Sequence, residues 1–336
     1  MDLSDGWVIY LLLGLTAYVI LDGYDLGIGV LTLVQRDGEY RRAMYELVAR
    51  TWDGNESWIL MVALAAWGGF PLALGVALPS LYLPLGLMLW SLICRGVSIE
   101  MLAQYPGWHR GWGRVFGYAS LLAGFCQGAA FGGLVAGVAV NLGRDTFAGG
   151  PWSFLHDGYA VLTGLTAVAL YAFAAAAWVY LKSDGALQHF AARAGRVAVP
   201  ALAGATVLCW ALLQTAGTTT LHPGASWRLP VWLTGAVVLA AGLAVAYWSF
   251  GRASSLTPVY AALAVYAGGL TTLLGLLYPE IVPPDITVHA AASPSASLVF
   301  MMIGVGLCIP IIFAYQTVAY WVFRGKLSTS KEVAAK

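Results

Sequence analysis

Four acidic residues near the start of the chain are the residues most able to do chemistry. They are Asp22 and Asp25 in the segment LDGYDLG, and Asp53 and Glu56 in the segment WDGNESW. Both segments lie at the facing ends of long apolar runs, although only 10% of the chain is charged. Acids grouped in this way can take up and release protons, so they predict a proton-handling function.

The composition predicts a membrane protein built from helices. Hydrophobic residues make up 60% of the 336 residues, and the mean hydropathy is +0.76. Apolar runs of roughly 20 residues are long enough to span a bilayer as helices. About nine such runs are present: Trp7 to Leu31, Trp58 to Val76, Leu81 to Ala103, Val115 to Val140, Tyr159 to Leu181, Val197 to Thr215, Leu229 to Phe250, Pro258 to Tyr278 and Leu298 to Phe323. We therefore expect an all-α, polytopic membrane protein.

The remaining organisation of the sequence is simple. Residues 1–336 show no soluble domain, linker or internal repeat, so we expect a single membrane domain. Asp2 and Asp5 precede the first apolar run where a signal peptide needs positive charge, so we expect the first helix to be retained. The net charge of +1 and the absence of a dense Lys/Arg run exclude nucleic acid as a partner.

The positions of the basic residues predict the orientation in the membrane. With the N-terminus in the periplasm and the C-terminus in the cytoplasm, 14 of the 17 basic residues face the cytoplasm. These are Arg36, Arg41, Arg42, Arg50, Arg110, Arg114, Lys182, Arg193, Arg196, Arg252, Arg324, Lys326, Lys331 and Lys336. Only Arg144 and Arg228 face the other side, and Arg95 lies within a span. This bias favours an odd number of spans.

The predicted topology brings the ionisable residues of the first three spans together. Asp22 and Asp25 fall in the inner half of span one, span two begins on the same side after Asp53 and Glu56, and span three returns there. Span three carries the last two groups, Arg95 and Glu100. A charge at the centre of a membrane helix costs roughly 2.5 to 3.5 kcal/mol, so such groups pair, face the bundle interior or line a water path.

Each group also has a purely structural interpretation. Asp53 and Glu56 can form a capping box at the start of span two. Asp22 and Asp25 can serve as hydrogen-bonding groups that hold helices together. Arg95 and Glu100 are expected to form an internal charge pair, which cannot neutralise Asp22 and Asp25 as well. One carboxyl group that exchanges a proton is what a relay requires.

Histidine and cysteine positions exclude other kinds of site. The histidines lie in connections or at span ends, so no bis-histidine haem site is expected inside the bundle. They are His109, His156, His189, His222 and His289. The four cysteines are isolated, with no metal-binding or disulfide pattern, and no hydrolytic motif is present. We expect no metal and no catalytic centre in this chain.

Several motifs resemble subunit II of the cytochrome bd type quinol oxidases. They are YVILDGYDLGIG at 18–29, WDGNESW at 52–58, Phe70-Pro71, RGVSIE at 95–100, Tyr278-Pro279, AASP at 291–294 and YWVFRGK at 320–326. The matches occur in order and cover essentially the whole chain. The short loops and the NESW segment are closer to the cyanide-insensitive branch. The family has a basic residue two positions after the acid of span three, whereas Leu102 stands there in this chain.

The resemblance implies an architecture and a partner. The helices should form two four-helix bundles plus one peripheral helix, in a bacterial plasma membrane. A haem-bearing subunit I should carry haem b and haem d, oxidise quinol and reduce oxygen to water. This chain should be its haem-free partner, with lipid, a structural quinone and a small single-helix accessory subunit as further components.

The resemblance also implies roles for individual residues. Asp25 and Asp53 should belong to a proton path from the cytoplasm, with Asp22 and Glu56 beside them. Trp58 should border the route of oxygen entry, and Arg95 with Glu100 should fix helix geometry. Two alternatives stay open: a proton-coupled secondary transporter, and a purely structural scaffold subunit. The resemblance does not distinguish ubiquinol from menaquinol.

Overall fold

The protein is described by a computed structural model that covers most of the chain. It describes residues 2–105, 109–138, 140–141, 146–147, 152, 158–216, 226–252 and 256–327. His156, His222, Arg144, Lys331 and Lys336 lie outside these residues.

Helices make up nearly all of the described structure. They are α1 (Leu3–Val34), α2 (Gly38–Ala49), α3 (Trp52–Gly69), α4 (Pro71–Gln104), α5 (His109–Val135), α6 (Tyr159–Lys182), α7 (Gly185–Ala216), α8 (Arg228–Ser249), α9 (Thr257–Leu277), α10 (Val288–Ala291) and α11 (Ser295–Val322). Two antiparallel pairs of very short strands lie in the connections. They are β1 (Val140–Asn141) with β2 (Thr146–Phe147), and β3 (Glu280–Val282) with β4 (Ile286–Thr287).

The predicted polytopic all-α class is confirmed. Within the described part of the chain, nine helices have at least 18 residues, and eight of these are also apolar enough to cross a membrane. The ninth is α3, an 18-residue helix that carries Asp53 and Glu56 in its first two turns. These acids lower the mean hydropathy of α3, which at 18 residues is too short to contain an apolar stretch of spanning length without them.

Packing divides the long helices as the resemblance implied. In the first group α1 contacts α3 and α5, and α4 contacts α3 and α5, which closes a four-helix bundle. In the second group α6 contacts α7 and α9, and α8 contacts α7 and α9, which closes another. The bundles meet where α6 packs on α1 and α5, and α11 lies outside against α3 and α1.

Two predicted span boundaries are wrong. The span predicted to end at Val140 stops earlier, because α5 ends at Val135 and Val140 lies in β1. The run from Trp58 to Val76 was expected to be one span, but α3 ends at Gly69 and α4 begins at Pro71. A residue before proline is disfavoured in helical conformation, and proline is well suited to the first position of a new helix. Phe70 accordingly has ψ of 60° and joins the two helices. Helix α4 then continues through Pro79 and Pro84.

Close packing between the bundles depends on small residues. Gly27 of α1 lies against the backbone carbonyl of Tyr171 on α6, where a Cβ atom would overlap it. Gly128 of α5 faces Thr163 and Ala167 of α6 in the same way. Glycines allow helix backbones to approach closely in membrane proteins. Gly128 of α5 therefore serves packing within this chain.

A short helix marks one end of the first bundle. Helix α2 lies between the last turn of α1 and the first turn of α3, and its N-terminus is capped by Asp37, which accepts from the backbone N–H of Glu39. It buries Ala43, Met44, Leu47 and Val48 against the bundle. We call this the α2 end of the molecule; the basic-residue bias predicts that it faces the cytoplasm.

Candidate functional site

Arg95 forms the centre of a buried ionic cluster toward the α2 end. Its Nη1 atom lies 2.7 Å from Asp22 Oδ1, and its Nη2 atom lies 3.1 Å from Glu56 Oε2. The side chains of Arg95 and Asp22 are fully buried, and that of Glu56 is 23% exposed. Three helices, α4, α1 and α3, thus each contribute one charged group to the same contact.

Asp25 lies one turn further along α1 and is held differently. Its Oδ2 atom accepts a hydrogen bond of 2.8 Å from Asn55 Nδ2 on α3. Its Oδ1 atom is buried and has no hydrogen-bond partner among the described residues. Asp25 is therefore a fully buried carboxyl group that makes one hydrogen bond and no ion pair within the described structure.

Asn55 connects Asp25 to a group of hydroxyl side chains. Its Nδ2 atom also donates to Tyr24 Oη at 3.0 Å, and its Oδ1 atom accepts from Tyr320 Oη of α11 at 3.0 Å. The two phenol oxygens are 2.5 Å apart, and Thr51 Oγ1 lies 3.1 Å from Tyr24 Oη. Tyr320 is only partly buried, so this group connects Asp25 with the less buried surface of the α2 end.

Helix α11 supplies a second polar side chain to the site. Gln316 donates from Nε2 to the carbonyl of Gly54 at 2.9 Å, and over a longer 3.5 Å to Asn55 Oδ1. Its Oε1 atom accepts from Trp58 Nε1 at 2.9 Å. Trp58 is fully buried and packs against Phe313. The peripheral helix is thus joined to α3 by polar contacts within the membrane region.

The position of α11 is fixed further at its C-terminal end. Lys182, the last residue of α6, donates from Nζ to the carbonyl of Phe323 at 3.0 Å. The backbone N–H of Leu327 donates back to the carbonyl of Lys182 at 2.7 Å. The ring of Trp178 contacts that of Tyr320 at 5.9 Å between centroids. These contacts position Tyr320 beside Asn55.

A further group of polar side chains connects the two bundles. Gln127 of α5 donates to Tyr18 Oη at 2.6 Å and accepts from Tyr171 Oη at 2.8 Å. Tyr18 lies one turn before Asp22 on α1, and Tyr171 lies on α6. This contact continues the line of polar residues along α1 beyond Asp22, away from the α2 end.

The structure brings some of the predicted site residues together and leaves others apart. Asp22, Glu56 and Arg95 meet in one cluster, and Asp25 lies next to it. Asp53 has an exposed side chain in the first turn of α3. Glu100 is also exposed, and among the described residues Arg95 pairs with Asp22 and Glu56 and forms no ion pair with Glu100.

Helix geometry explains why neither the Arg95–Glu100 pair nor the Asp53–Glu56 capping box forms. Glu100 is five residues after Arg95, which places it about 140° around the helix, whereas residues three or four apart share a face. The capping box that the sequence allows at Asp53 and Glu56 does not form. Helix α3 begins at Trp52 after Thr51, which provides no side-chain cap, and Glu56 points to Arg95 instead of back to Asp53.

The charges of the cluster do not balance. Asp22, Asp25 and Glu56 are three carboxyl groups around the single guanidinium of Arg95. One guanidinium can neutralise one carboxylate, so two further carboxyl groups remain that can each carry a proton. This excess of acid is the property that makes the site suitable for proton exchange.

Sequence reasoning missed the uncharged members of the site. Asn55 stands inside the segment WDGNESW, and Gln316 is the single amide in the apolar run from Leu298 to Phe323. A buried amide in an apolar span has to find a partner, which is a usable signal. Tyr24 and Tyr320 carry no comparable signal, because tyrosine is common in this chain.

The described residues provide no obvious metal site. They contain no group of three or more His, Cys, Asp and Glu side chains that could hold a metal ion. His189 is exposed on α7, His289 lies in the short helix α10, and His109 is the first residue of α5. None of these three positions lies within the interior of a bundle.

Two apolar grooves border α11. One, of about 570 Å³, is lined by Met61 and Leu64 of α3 together with Phe300, Met301 and Cys308 of α11. The other, of about 190 Å³, lies between α1 and α11 and is lined by residues such as Tyr10 and Pro310. The larger groove begins one helical turn beyond Trp58.

Comparisons with known proteins agree on one family. The family model for cytochrome bd terminal oxidase subunit II matches residues 3–323. A cytochrome bd ubiquinol oxidase subunit 2 from Bacillus subtilis is 25% identical over 347 residues, which cover 97% of each chain. The cytochrome bd-I ubiquinol oxidase subunit 2 of Escherichia coli K12 is 25% identical over 370 residues, covering 95% of this chain and 94% of that protein.

A solved structure supports the fold. The structure of bd oxidase from Geobacillus thermodenitrificans aligns with a TM-score of 0.80 at 15% identity, over 96% of this chain and 99% of the matched chain. The family match covers nearly the entire length, and the fold match covers the same extent. The chain therefore belongs to the cytochrome bd terminal oxidase subunit II family.

Proposed function

We propose that this chain is the haem-free subunit II of a quinol oxidase and that it supplies part of a proton path from the cytoplasm. Its partner is a haem-bearing subunit I, which binds haem b and haem d, oxidises quinol and reduces oxygen to water. Family membership supports the oxidase complex. The eight apolar helices support a multi-pass protein of the bacterial plasma membrane.

Histidine positions support the haem-free assignment. A haem with two histidine ligands needs two imidazoles that face each other across the bundle interior. Of the described histidines, His189 is exposed and His289 is half exposed at the far end from α2. Because these positions do not fit such a site, we assign the haems to subunit I.

The buried carboxyl group of Asp25 is the observation that carries the proton-path proposal. Reduction of oxygen to water consumes protons, and a path from the cytoplasm lets their uptake contribute to the membrane potential. Asp25 is nine residues, or about 13 Å of helix, from the end of α1. It is fully buried, its Oδ1 atom has no hydrogen-bond partner among the described residues, and it adjoins an ionic cluster with excess acid.

The other acids have separate places in the proposed path. Exposed Asp53 collects protons at the mouth, and Asp25 is the first buried relay. Glu56 is partly exposed and shares Arg95 with Asp22, so these two acids set the charge around the relay. The orientation, with the N-terminus in the periplasm, follows from the basic-residue bias and places the mouth in the cytoplasm.

Substitution of Asp25 by asparagine tests the path. The tagged chain is purified with its partner from the native membrane, and quinol-dependent oxygen consumption and the reduced-minus-oxidised haem spectrum are recorded. We expect Asp25→Asn to keep the haem content and to lower oxygen consumption by about a hundredfold, because general proton-transfer groups contribute rate factors of this order. Normal oxygen consumption with normal haem content would refute the relay.

One control variant and a second acid variant distinguish the alternatives. Glu46→Gln removes an exposed acid of α2 whose one ion pair within the described residues is with Arg42 on the same helix, and we expect it to leave oxygen consumption unchanged. A purely structural scaffold subunit predicts that Asp25→Asn and Asp53→Asn both behave like Glu46→Gln. Family membership favours the oxidase over a proton-coupled transporter, which would take up solute without a haem-bearing partner.

The family resemblance also implies a role for Trp58, beside the route by which oxygen enters. Oxygen is apolar and dissolves in the membrane, and the larger groove beside α11 is lined by apolar residues that begin at Met61. We propose that this groove leads oxygen towards Trp58. Leu64→Trp should narrow the groove and raise the oxygen concentration needed for half-maximal rate; an unchanged oxygen dependence would exclude this route.

A further inference from the structure

Asn55 is held in one orientation by neighbours that can only donate or only accept. The indole N–H of Trp58 is a donor without acceptor capacity, so the group of Gln316 that faces it at 2.9 Å is the carbonyl oxygen. The amide nitrogen of Gln316 then faces the carbonyl of Gly54 at 2.9 Å, which is an acceptor only. Both contacts require the same orientation of the Gln316 amide.

The orientation of Asn55 follows from that of Gln316. The Nε2 group of Gln316 lies 3.5 Å from Asn55, so the nearer Asn55 atom is the oxygen. On the other side, Asn55 Nδ2 lies 3.3 Å from the carbonyl oxygen of Leu21, another acceptor. A reversed amide would place two donors together at Gln316 and two oxygens together at Leu21.

The fixed amide presents an N–H group to Asp25. Asn55 Nδ2 donates to Asp25 Oδ2 at 2.8 Å, which is within the normal range for an N–H···O hydrogen bond. Asp25 Oδ1 has no partner among the described residues. Tyr24 and Tyr320 do not oppose this arrangement, since a phenol hydroxyl can donate or accept.

We propose that Asn55 is the positioning residue of Asp25: it occupies Oδ2 permanently, so that Oδ1 is the atom at which Asp25 gains and gives up its proton. This inference rests on the proposed relay function of Asp25. It also assigns a role to the peripheral helix, because α11 supplies Gln316, which keeps the Asn55 amide from turning. Asn55 handles no proton itself.

Several charged groups surround the carboxyl group and influence its titration. Asp22 lies on the same helix, Glu56 on α3 and Arg95 on α4. From α11 the phenol of Tyr320 faces it through Asn55, and Tyr24 lies beside it on α1. Asn55 is the one neighbour, among the described residues, that forms a hydrogen bond with Asp25.

Asn55→Leu removes the N–H group at similar volume, and Asn55→Asp keeps the shape but replaces the donor by an acceptor. In the purified complex we expect both to keep the haem content and to lower oxygen consumption by about tenfold or more, the rate equivalent of one charge-assisted hydrogen bond. We also expect the pH–rate profile to be displaced relative to the parent complex, which a merely structural role would not cause.

Infrared difference spectroscopy provides an independent readout. The C=O stretching band of protonated Asp25 is identified as the band lost in Asp25→Asn. In Asn55→Leu this band should move, because Oδ2 loses its hydrogen bond. Thr317→Val is the matched control: it removes a hydroxyl from an exposed position next to Gln316 and should change neither the band nor the profile.

Gln316→Leu tests the residue that orients Asn55. It touches no atom of Asp25, and it frees the Asn55 amide to turn, so we expect the same displacement at a smaller size. It also decides the outcome if Asn55→Leu loses haem during assembly. A Gln316→Leu complex with full haem and the parent profile would then overturn the inference.

The outcomes separate this inference from the proposed function. If Asp25→Asn remains fully active, the relay itself is wrong and the inference falls with it. If Asp25→Asn is inactive while the Asn55 variants match the parent complex in rate, profile and infrared band, only the inference is overturned. Slowed Asn55 variants with a displaced profile and a moved band support it.

Discussion

Among the residues that the structure describes, two arginines are almost completely buried, and their surroundings differ. Arg228, at the start of α8, lies 2.7 Å from Glu280 Oε2 on β3 and also donates to the carbonyl of Leu276. Arg95 instead lies between two acids, Asp22 and Glu56, with Asp25 close by. One contact joins a single cation to a single anion, and the other joins one cation to an excess of acid.

The difference indicates which of the two contacts can do chemistry. In a pair of one cation and one anion, any change of protonation is unfavourable. A proton gained by the carboxylate leaves the cation without a partner, and a proton lost by the cation leaves the carboxylate without one. A cluster with more acids than bases already holds carboxyl groups that exchange protons at lower cost. Arg228 therefore fastens the β3–β4 hairpin to α8, while Arg95 fixes the place around which protons can move.

The largest effect is expected from removal of the central cation. Arg95→Leu leaves Asp22 without its counter-ion at a fully buried position, and breaking a buried ion pair costs about 3 to 5 kcal/mol. We expect the complex to fail to assemble, measured as loss of haem absorbance and of subunit I from the purified sample. Arg95→Lys, which keeps the charge, should recover part of the yield.

A well-assembled Arg95→Leu complex would contradict this comparison. It would mean that Asp22 and Glu56 are protonated or hydrated without Arg95, and that the cluster is not held by ion pairing. The yield of Arg228→Leu provides the reference, because it removes the other buried arginine.

The next largest effect on stability is expected at Asp22, which pairs with Arg95, and not at Asp25, which forms no ion pair among the described residues. Asp22→Asn removes a partner of Arg95, so we expect the midpoint of thermal denaturation, followed by haem absorbance, to fall by an amount equivalent to about 2 to 4 kcal/mol. Asp25→Asn removes no ion pair, so its midpoint should stay close to that of the parent complex while its oxygen consumption falls. The reverse pattern, a stable Asp22→Asn and an unstable Asp25→Asn, would show that Asp25 is the structural acid.

A smaller effect is expected at the pair of Arg228 and Glu280. Glu280→Gln leaves the Arg228 guanidinium with the carbonyl of Leu276, and because Glu280 is 17% exposed, water can replace part of the lost interaction. We expect a loss of about 1 to 3 kcal/mol in thermal stability and unchanged oxygen consumption per haem. A lower rate at normal haem content would show that the pair of Arg228 and Glu280 affects activity, which contradicts its assignment as a structural contact.

The sequence predicts the elements of the site better than its contacts. Hydropathy locates the long helices because a span must be apolar over its whole length, and the order of spans then brings Asp22, Glu56 and Arg95 to one depth. It does not locate the break between α3 and α4, since the apolar run continues unbroken through Phe70. There the local preference of Pro71 determines the boundary.

Partners of polar side chains depend on helix rotation and on distant parts of the chain. Arg95 and Glu100 are close in sequence but point to different sides of α4, whereas Asn55 and Gln316 are 261 residues apart and meet. The contact between Asn55 and Gln316 cannot be predicted from the residue pattern of one helix, because it depends on how α11 packs against α3. The gathering of Asp22, Glu56 and Arg95 was therefore predictable, whereas the pairing of Arg95 and the amides and hydroxyls that orient the site were not.

The smallest effect is expected at the periplasmic end of the predicted topology. Tyr278, which follows α9, donates a 2.6 Å hydrogen bond to Asp5 Oδ1 near the start of α1. This hydrogen bond to a carboxylate raises the pKa of Tyr278 from 10.0 to about 12. Because the neutral phenol is favoured in the folded protein, it stabilises the fold below pH 10, and the contribution is lost as the pH rises through about 12.

Tyr278→Phe tests this contact against the buried cluster. The contact is near the surface, so we expect a loss of only about 0.5 to 1 kcal/mol at neutral pH, measured as the shift in thermal midpoint. The parent and the variant should converge between pH 10 and 12, because the parent then loses its phenol proton. The tyrosinate absorbance of the parent should show one more late-titrating phenol than that of the variant. The ring of Tyr278 also contacts that of Trp227, at 5.8 Å between centroids. A constant difference in midpoint across this range would mean that Tyr278 stabilises the fold through this packing and not through Asp5.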